Sequence, residues 1–180
     1  MLSDPFEVNV GVKQGCVLAP LLFNIYLAAV TLLSYNLIHQ DDGITYRYRL
    51  DGSFLNLRRL QASTKTRTDF ISSLQYADDA AIASHSGDGL QRVLDATFDT
   101  FSRCGLVVNA AKTEVLCQSN RPVHDEFHVG TEELARVKHF TYLGSMVSNN
   151  CLLDTEIDSR IRHASAAFGR SLSRVFINRD

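Results

Sequence analysis

Two adjacent carboxylates, Asp78 and Asp79, lie between two short, largely apolar runs, residues 74–77 and 80–83. Neighbouring like charges repel, and each costs free energy to bury unless another group compensates it. The pattern therefore predicts a β-hairpin whose tight turn places both carboxylates at the edge of a sheet. There they would face a hard cation such as Mg²⁺, which binds carboxylate oxygens. An Asp-Asp turn that faces only water is the alternative interpretation.

Two further polar side chains are candidates for binding a nucleotide. Gln14 lies between Gly11 and Gly15, just before a helix predicted to begin near Pro20. Its amide and the backbone N–H groups freed at a helix start suit a nucleotide or a template base. Lys112 follows a turn and precedes a strand, where a lysine either is solvated or contacts a phosphate.

Residues 46–67 concentrate positive charge, with six basic residues against the single acid Asp51. Tyrosines alternate with arginines from residue 46, which predicts a hairpin over residues 44–60 that turns at Asp51 and Gly52. Aromatic and basic side chains on an exposed strand are typical of a nucleic-acid contact, and an ordinary solvated hairpin is the alternative. The candidate nucleic-acid contacts are Arg47, Arg49, Arg58 and Arg59.

The composition of the chain limits its class. It has 180 residues, 45% of them hydrophobic, and a net charge of −2, which indicates one globular domain without a global preference for nucleic acid. The four cysteines form no CxxC pair, which argues against a zinc site. We expect an intracellular protein, because no signal peptide is evident at residues 1–9.

Residues 16–38 carry no charge over a length that would cross a bilayer. Pro20, Asn24 and Asn36 interrupt this run, and no basic cluster flanks it. We therefore expect a helix buried on most of its faces within protein, and no membrane partner.

The remaining pattern alternates short strands with two amphipathic helices. A strand is predicted over residues 5–10, and a helix capped by Asp88, with Gln91 three residues on, should end at Gly105. A small hairpin bent at Gly144 is predicted over residues 140–147, and a helix from Asp154.

In this order the segments resemble the reverse transcriptase domain of non-LTR (LINE-type) retrotransposons. Residues 11–24 (GVKQGCVLAPLLFN) resemble motif B of that family, and residues 76–79 (YADD) resemble motif C. Residues 105–109 (GLVVN) with Lys112 and Thr113 resemble motif D, and residues 142–145 (YLGS) resemble motif E. The tetrapeptide YADD is weak alone, whereas four motifs in the order of the family are specific.

The resemblance implies an α+β fold, a polymerase palm-like antiparallel sheet packed on two helices and incomplete at its N-terminus. Residues 1–150 would form a partial palm, and residues 151–180 would begin the thumb. Asp78 would ligate Mg²⁺ with support from Asp79, and Lys112 would face the leaving pyrophosphate. The resemblance also implies two groups of contacts: Gln14, Gly15 and Tyr76 at the template and nucleotide, and Tyr142, Leu143 and Gly144 as the primer grip.

The implied activity is RNA-directed DNA synthesis, with an RNA template, a DNA primer, dNTPs and two Mg²⁺ ions. The family places another metal-binding Asp in motif A, upstream of motif B, and neither Asp4 nor Glu7 has that context. We therefore expect a fragment that is inactive without an upstream segment carrying the fingers and motif A. A non-catalytic retrotransposon remnant that binds nucleic acid weakly is the alternative. An unrelated metal-dependent hydrolase is a third, disfavoured because no His lies between Asp42 and Asp78.

Overall fold

The computed structural model describes residues 11, 15–51, 57–118 and 126–172. The predicted strand over residues 5–10, the side chain of Gln14 and the expected turn at Gly52 lie outside this part of the chain. The chain divides into two compact units, Met1–Val108 and Asn109–Asp180.

The first unit contains three α-helices and four strands among the described residues. In chain order these are α1 (Ala19–Tyr35), β1 (Ile44–Arg49), α2 (Leu57–Leu60), β2 (Thr66–Ile71), β3 (Ser73–Tyr76), β4 (Asp79–Ile82) and α3 (Gly87–Arg103). The strands form two separate antiparallel pairs, β1 with β2 and β3 with β4. The fold is thus mixed, with helices and small sheets, as the motif order predicted.

Helix α1 begins at Ala19 with Pro20 in its first turn, where a missing N–H costs nothing. Only Ala19, Val30 and Ser34 of this helix are buried. The prediction that it is buried on most faces is wrong for this chain, because a row of leucine and isoleucine side chains faces outward. Among the part of the chain that is described, no helix combines the length and hydropathy needed to cross a bilayer.

Helix α3 carries the apolar stripe that its sequence predicts, with Val93 and Leu94 buried. Ser86, not Asp88, caps it, because the Ser86 hydroxyl accepts a hydrogen bond of 3.1 Å from the Gly89 N–H. The helix ends before Gly105, whose φ of +74° is the left-handed conformation expected after a helix C-terminus. The predicted helix is confirmed, and its cap is corrected by two residues.

A buried carboxylate fixes the start of α3. The Asp42 side chain is 4% exposed and accepts a hydrogen bond of 2.9 Å from Nε of Arg92. The turn that carries Asp42 passes so close to α3 that a Cβ on Gly89 would lie 3.2 Å from the Asp42 Cα and 2.6 Å from the Ser84 hydroxyl. The hydrogen bond and charge of Arg92 hold the pKa of Asp42 below its ordinary value.

The partner of β1 differs from the prediction. Strand β1 pairs with β2, with Ile44 opposite Ile71 and Arg49 opposite Thr66. The predicted hairpin over residues 44–60 is wrong at its C-terminal end, because Leu57–Leu60 is helical. The local turn signal at Asp51 therefore did not identify the pairing strand, which lies further along the chain.

The second unit contains six strands and one helix among the described residues. They are β5 (Glu114–Leu116), β6 (His128–Val129), β7 (Glu132–Glu133), β8 (Ala135–Val137), β9 (His139–Tyr142), β10 (Ser145–Ser148) and α4 (Asp154–Ser171). Strands β5 and β8 are parallel, whereas β6 with β7 and β9 with β10 are antiparallel. The hairpin at Gly144 and the helix from Asp154 are confirmed. Among the described residues of this unit, the buried apolar side chains are Val115, Cys117, Phe127, Val129 and Leu134.

Replacing Asp42 by Asn should destabilise the first unit near neutral pH, since Arg92 loses its charged partner. Because folding lowers the pKa of Asp42, its stabilisation is fully present above the unfolded pKa of about 4 and is lost as pH falls through the folded pKa. The difference in unfolding free energy between wild type and Asp42→Asn should therefore shrink below about pH 4. Urea denaturation across pH measures this difference. Asp99→Asn, which breaks the exposed pair Asp99–Arg103, is the control. A difference that grows toward acid would contradict it.

The outward row on α1 should drive self-association. Leu21, Ile25 and Leu32 are 56%, 59% and 65% exposed and recur at helical spacing, so they form one apolar surface. The triple substitution of these residues by Gln should shift the sedimentation coefficient toward that of a monomer. Val107→Gln with Leu50→Gln, two exposed apolar residues in other segments, is the control and should change nothing. A wild-type chain that sediments as a monomer at micromolar concentration would refute the expectation.

Candidate active site

The Asp78–Asp79 pair lies at the turn of the β3–β4 hairpin, as the sequence predicted. Tyr76 is opposite Asp79 in the register, so Ala77 and Asp78 form the two-residue loop. Both carboxylates are exposed, and Tyr76 is 65% exposed. The turn thus presents two acids and an aromatic ring to solvent, where a cation can reach the acids.

Strand alternation separates the two faces of this hairpin. Ser73 and Gln75 point toward α1, and the Thr31 hydroxyl donates a hydrogen bond of 2.7 Å to Oε1 of Gln75. Ser73 and Gln75 line a small cavity, together with Ala80 and Ile82 from β4 and residues of α1 and α3. Leu74 and Tyr76 point to the opposite face and are exposed. One face of the hairpin therefore packs on the two helices, while the carboxylates remain outside.

The backbone of the turn is strained at Ala77, whose φ is +51°. A residue with a Cβ is uncommon in the left-handed region, which costs roughly 1–2 kcal/mol per residue. Strain of this kind is often found at functional sites, where the surrounding structure maintains it. This conformation has no signature in the sequence, because Ala is not a typical residue for positive φ.

Among the described residues, no three His, Cys, Asp or Glu side chains cluster closely enough to hold a metal ion. Two carboxylates nevertheless suit Mg²⁺, which is commonly bound through one or two carboxylates together with waters and substrate phosphates. The donor set at Asp78 and Asp79 therefore fits part of a divalent-ion site. Its other ligands would come from water, from substrate phosphates or from further acidic residues.

The second unit carries Lys112 and the predicted primer-grip residues. Lys112 is exposed at the end of a 3₁₀ turn, Ala110–Lys112, that Asn109 caps by accepting from the Lys112 N–H at 3.2 Å. Sequence reasoning missed this role of Asn109, although Asn is a common capping residue. Thr113 adds a hydrogen bond of 2.9 Å from its hydroxyl to the Asn109 carbonyl. This local network fixes the backbone from which the lysine extends.

The predicted primer-grip residues form the turn of the β9–β10 hairpin. Leu143 and Gly144 both have positive φ, +49° and +80°, as a type I′ loop requires. The ring of Tyr142 stacks on Phe140 at 6.4 Å between centroids. Leu143 is 52% exposed at the tip, which makes the turn accessible to a ligand.

Glu156 of α4 anchors this hairpin, a role that the sequence analysis did not identify. Its carboxylate accepts a hydrogen bond of 2.7 Å from the Met146 N–H and pairs with Arg160. Arg160 also donates to the Ser145 hydroxyl at 3.0 Å. The Met146 N–H and then Arg160 lower the pKa of Glu156. An acid one turn before an arginine in the first turns of a helix was the available signal.

The remaining predicted residues are on the first unit. Gly15 is exposed with φ of +85°, and Gln14 beside it is outside the described residues. Arg47 donates to the Ala62 carbonyl at 3.0 Å and to the Thr66 hydroxyl at 2.9 Å. Arg49 pairs with Asp51, and its side chain is only 9% exposed. Arg58 and Arg59 are exposed on α2.

Comparison with known proteins supplies the family. A family model described as reverse transcriptase (RNA-dependent DNA polymerase) matches residues 2–147. The chain is also similar to the retrovirus-related Pol polyprotein from type-2 retrotransposable element R2DM of Drosophila melanogaster, with 27% identity over 154 residues. That alignment covers 79% of this chain and 12% of the Pol polyprotein. The relationship to the retrotransposon enzymes that the four motifs predicted is confirmed, and the chain belongs to the reverse transcriptase (RNA-dependent DNA polymerase) family.

Proposed function

We propose that this chain forms the palm part of an RNA-directed DNA polymerase and the start of its thumb. Residues 1–150 would be the partial palm and residues 151–180 the thumb start, with α4 as its helix. The observation that carries the proposal is the β3–β4 hairpin. In a chain of the reverse transcriptase family, it presents the carboxylates of motif C outward from a strained turn whose other face packs on two helices.

The proposed reaction is nucleotidyl transfer to a primer 3′-OH. Divalent ions, here proposed to be Mg²⁺, activate the 3′-OH and stabilise the leaving oxygens when bound in pairs. Asp78 would ligate an ion directly, and Asp79 would support it with a second negative charge. Lys112 would contribute a positive charge at the leaving pyrophosphate.

Binding of the substrates would use the two hairpins and the loop before α1. Gln14 and Gly15 would contact the template base and the incoming nucleotide, with Tyr76 beside the carboxylates. Tyr142, Leu143 and Gly144 would hold the primer end. The anchoring of β10 by Glu156 supports this, since a turn that contacts the primer must be fixed in position.

The arginines of β1 and α2 are proposed to add positive charge near the nucleic acid. Arg58 and Arg59 are exposed and suit direct phosphate contacts. Arg47 and Arg49 are engaged in hydrogen bonds with the chain itself, so they would act mainly by holding β1 to β2 and α2.

Asp78 and Asp79 supply carboxylate ligands on only one side of a site that must bind two ions. We infer that the 180-residue chain alone does not extend a primer and that a further carboxylate, the Asp of motif A, completes the enzyme. A non-catalytic remnant that binds nucleic acid weakly is the competing function, which the absence of a third clustered acid among the described residues favours.

Primer extension on an RNA template tests the proposal. The chain alone should give no product, and fusion to an upstream segment with the fingers and the motif A Asp should give Mg²⁺-dependent synthesis. In that fusion, Asp78→Asn should lower kcat roughly 1,000-fold or more, because it removes the charge beside the ion while keeping the shape. Asp79→Asn should be milder.

Asp99→Asn, which removes an exposed acid on α3, is the matched control and should extend normally. Synthesis by the 180-residue chain alone would overturn the inference of inactivity. Normal activity of Asp78→Asn in the fusion would overturn the assignment of the site.

Ala77 offers a separate test of the strained turn. Gly tolerates φ of +51°, so Ala77→Gly should raise the unfolding free energy by up to about 1 kcal/mol. Ala77→Val should lower it by about 1 kcal/mol or more, because a β-branched residue fits this conformation poorly. Urea denaturation monitored by circular dichroism gives the order of the unfolding free energies of wild type, Ala77→Gly and Ala77→Val. A Val variant more stable than the Gly variant would show that the turn has another conformation in solution.

A further inference from the structure

The two faces of the β1–β2 pair differ in how their side chains are used. Because side chains alternate along a strand, the arginines of β1 share one face, and Tyr46 and Tyr48 share the other. On the arginine face the hydrogen bonds of Arg47 and Arg49 end on the chain itself. Phe70, on that face in β2, makes an edge contact with Tyr35 of α1 at 5.9 Å. The chain itself therefore engages the guanidinium groups of this face, although Arg47 remains exposed.

The tyrosine face is built differently. The Tyr46 and Tyr48 rings stack with centroids 5.4 Å apart and an interplanar angle of 17°. The Tyr48 hydroxyl donates to Asp69 at 2.8 Å, and Nε of Arg67 donates to the other oxygen of Asp69 at 2.9 Å. Asp69 thus fixes both the tyrosine and the arginine, so that the surface is ordered before any ligand arrives.

This ordered surface remains accessible. Tyr46 is 39% exposed although Tyr48 stacks on one side of its ring, and the Arg67 side chain is 62% exposed. The hydrogen bonds between the strands continue to the Leu50 N–H, which donates to the Lys65 carbonyl. There Leu50 is 64% exposed, and Lys65 is a second exposed cation. An exposed ring beside cations is the combination on which single-stranded nucleic acids bind, with bases stacked on rings and phosphates near positive charge.

We propose that the tyrosine face of the β1–β2 pair, with Tyr46 as the stacking residue and Arg67 as a phosphate contact, binds single-stranded RNA of the template. The choice of RNA as the ligand rests on the proposed function. The identification of the surface rests on the stacking and exposure of the tyrosines. The sequence had indicated the arginines of β1 as the contacts. Their hydrogen bonds to the chain favour the opposite face.

The test is fluorescence anisotropy of the full 180-residue chain with a labelled, unstructured 12-nucleotide RNA. Tyr46→Leu should weaken binding roughly tenfold, since a stacked base contributes strongly at such a site. Tyr46→Phe should bind like wild type, because it keeps the ring. Circular dichroism of Tyr46→Leu checks that the unit is folded.

Charge is tested by salt dependence. Arg67→Gln should reduce the slope of log Kd against log salt by about 0.7, the value for one phosphate contact on a single strand. Arg103→Gln is the matched control, because Arg103 is also an exposed arginine paired with an aspartate. Its slope should equal that of wild type.

Four results would overturn the inference: no binding of the RNA by the wild-type chain, equal binding by Tyr46→Leu, an unchanged slope for Arg67→Gln, or tighter binding of the matching single-stranded DNA. None of these bears on primer extension by the fusion, which tests the proposed function through Asp78. The surface and the polymerase site can therefore fail independently.

Discussion

The carboxylates of Asp78 and Asp79 repel one another, so burying them side by side without a compensating cation would cost free energy. The β3–β4 hairpin satisfies this constraint by alternation. Its inward positions carry small, polar or apolar side chains that pack on α1 and α3, and the hydrogen bond between Thr31 and Gln75 fixes that face. Its turn projects the acids outward. The helices thus hold a charged turn in place without burying it.

The order of the motifs and the hydrophobic periodicity predicted much of this arrangement. The carboxylate hairpin, the hairpin at Gly144 and the helices α1, α3 and α4 all follow from local patterns. These patterns are the turn residues of the hairpins, Pro20 in the first turn of α1, the apolar stripe of α3 and the acidic first turn of α4. The motifs also predicted the family, since four of them in one order restrict the fold far more than any one does.

What the sequence did not predict depends on contacts between distant segments. Strand β1 pairs with β2 and not with the segment directly after the turn signal at Asp51, and Phe70 of β2 contacts Tyr35 of the distant helix α1. Ser86 and Asp88 are both good capping residues, and in the structure it is the Ser86 hydroxyl that accepts from the Gly89 N–H. The outward apolar row of α1 was misread because hydropathy alone does not say which side is covered. The positive φ of Ala77 has no local signature.

The anchoring of β10 by Glu156 has a consequence for assembly. In a two-residue hairpin, Ser145 forms the closing hydrogen-bonded pair with Tyr142, so the Met146 N–H points away from β9, along the open edge of the sheet. An open edge invites the strand of another molecule, and proteins often guard such edges with charge. The Glu156 carboxylate accepts the hydrogen bond of this N–H. A strand that added at this edge would have to displace Glu156 and its ion pair with Arg160. The residue that positions the hairpin therefore also guards it against strand addition between chains.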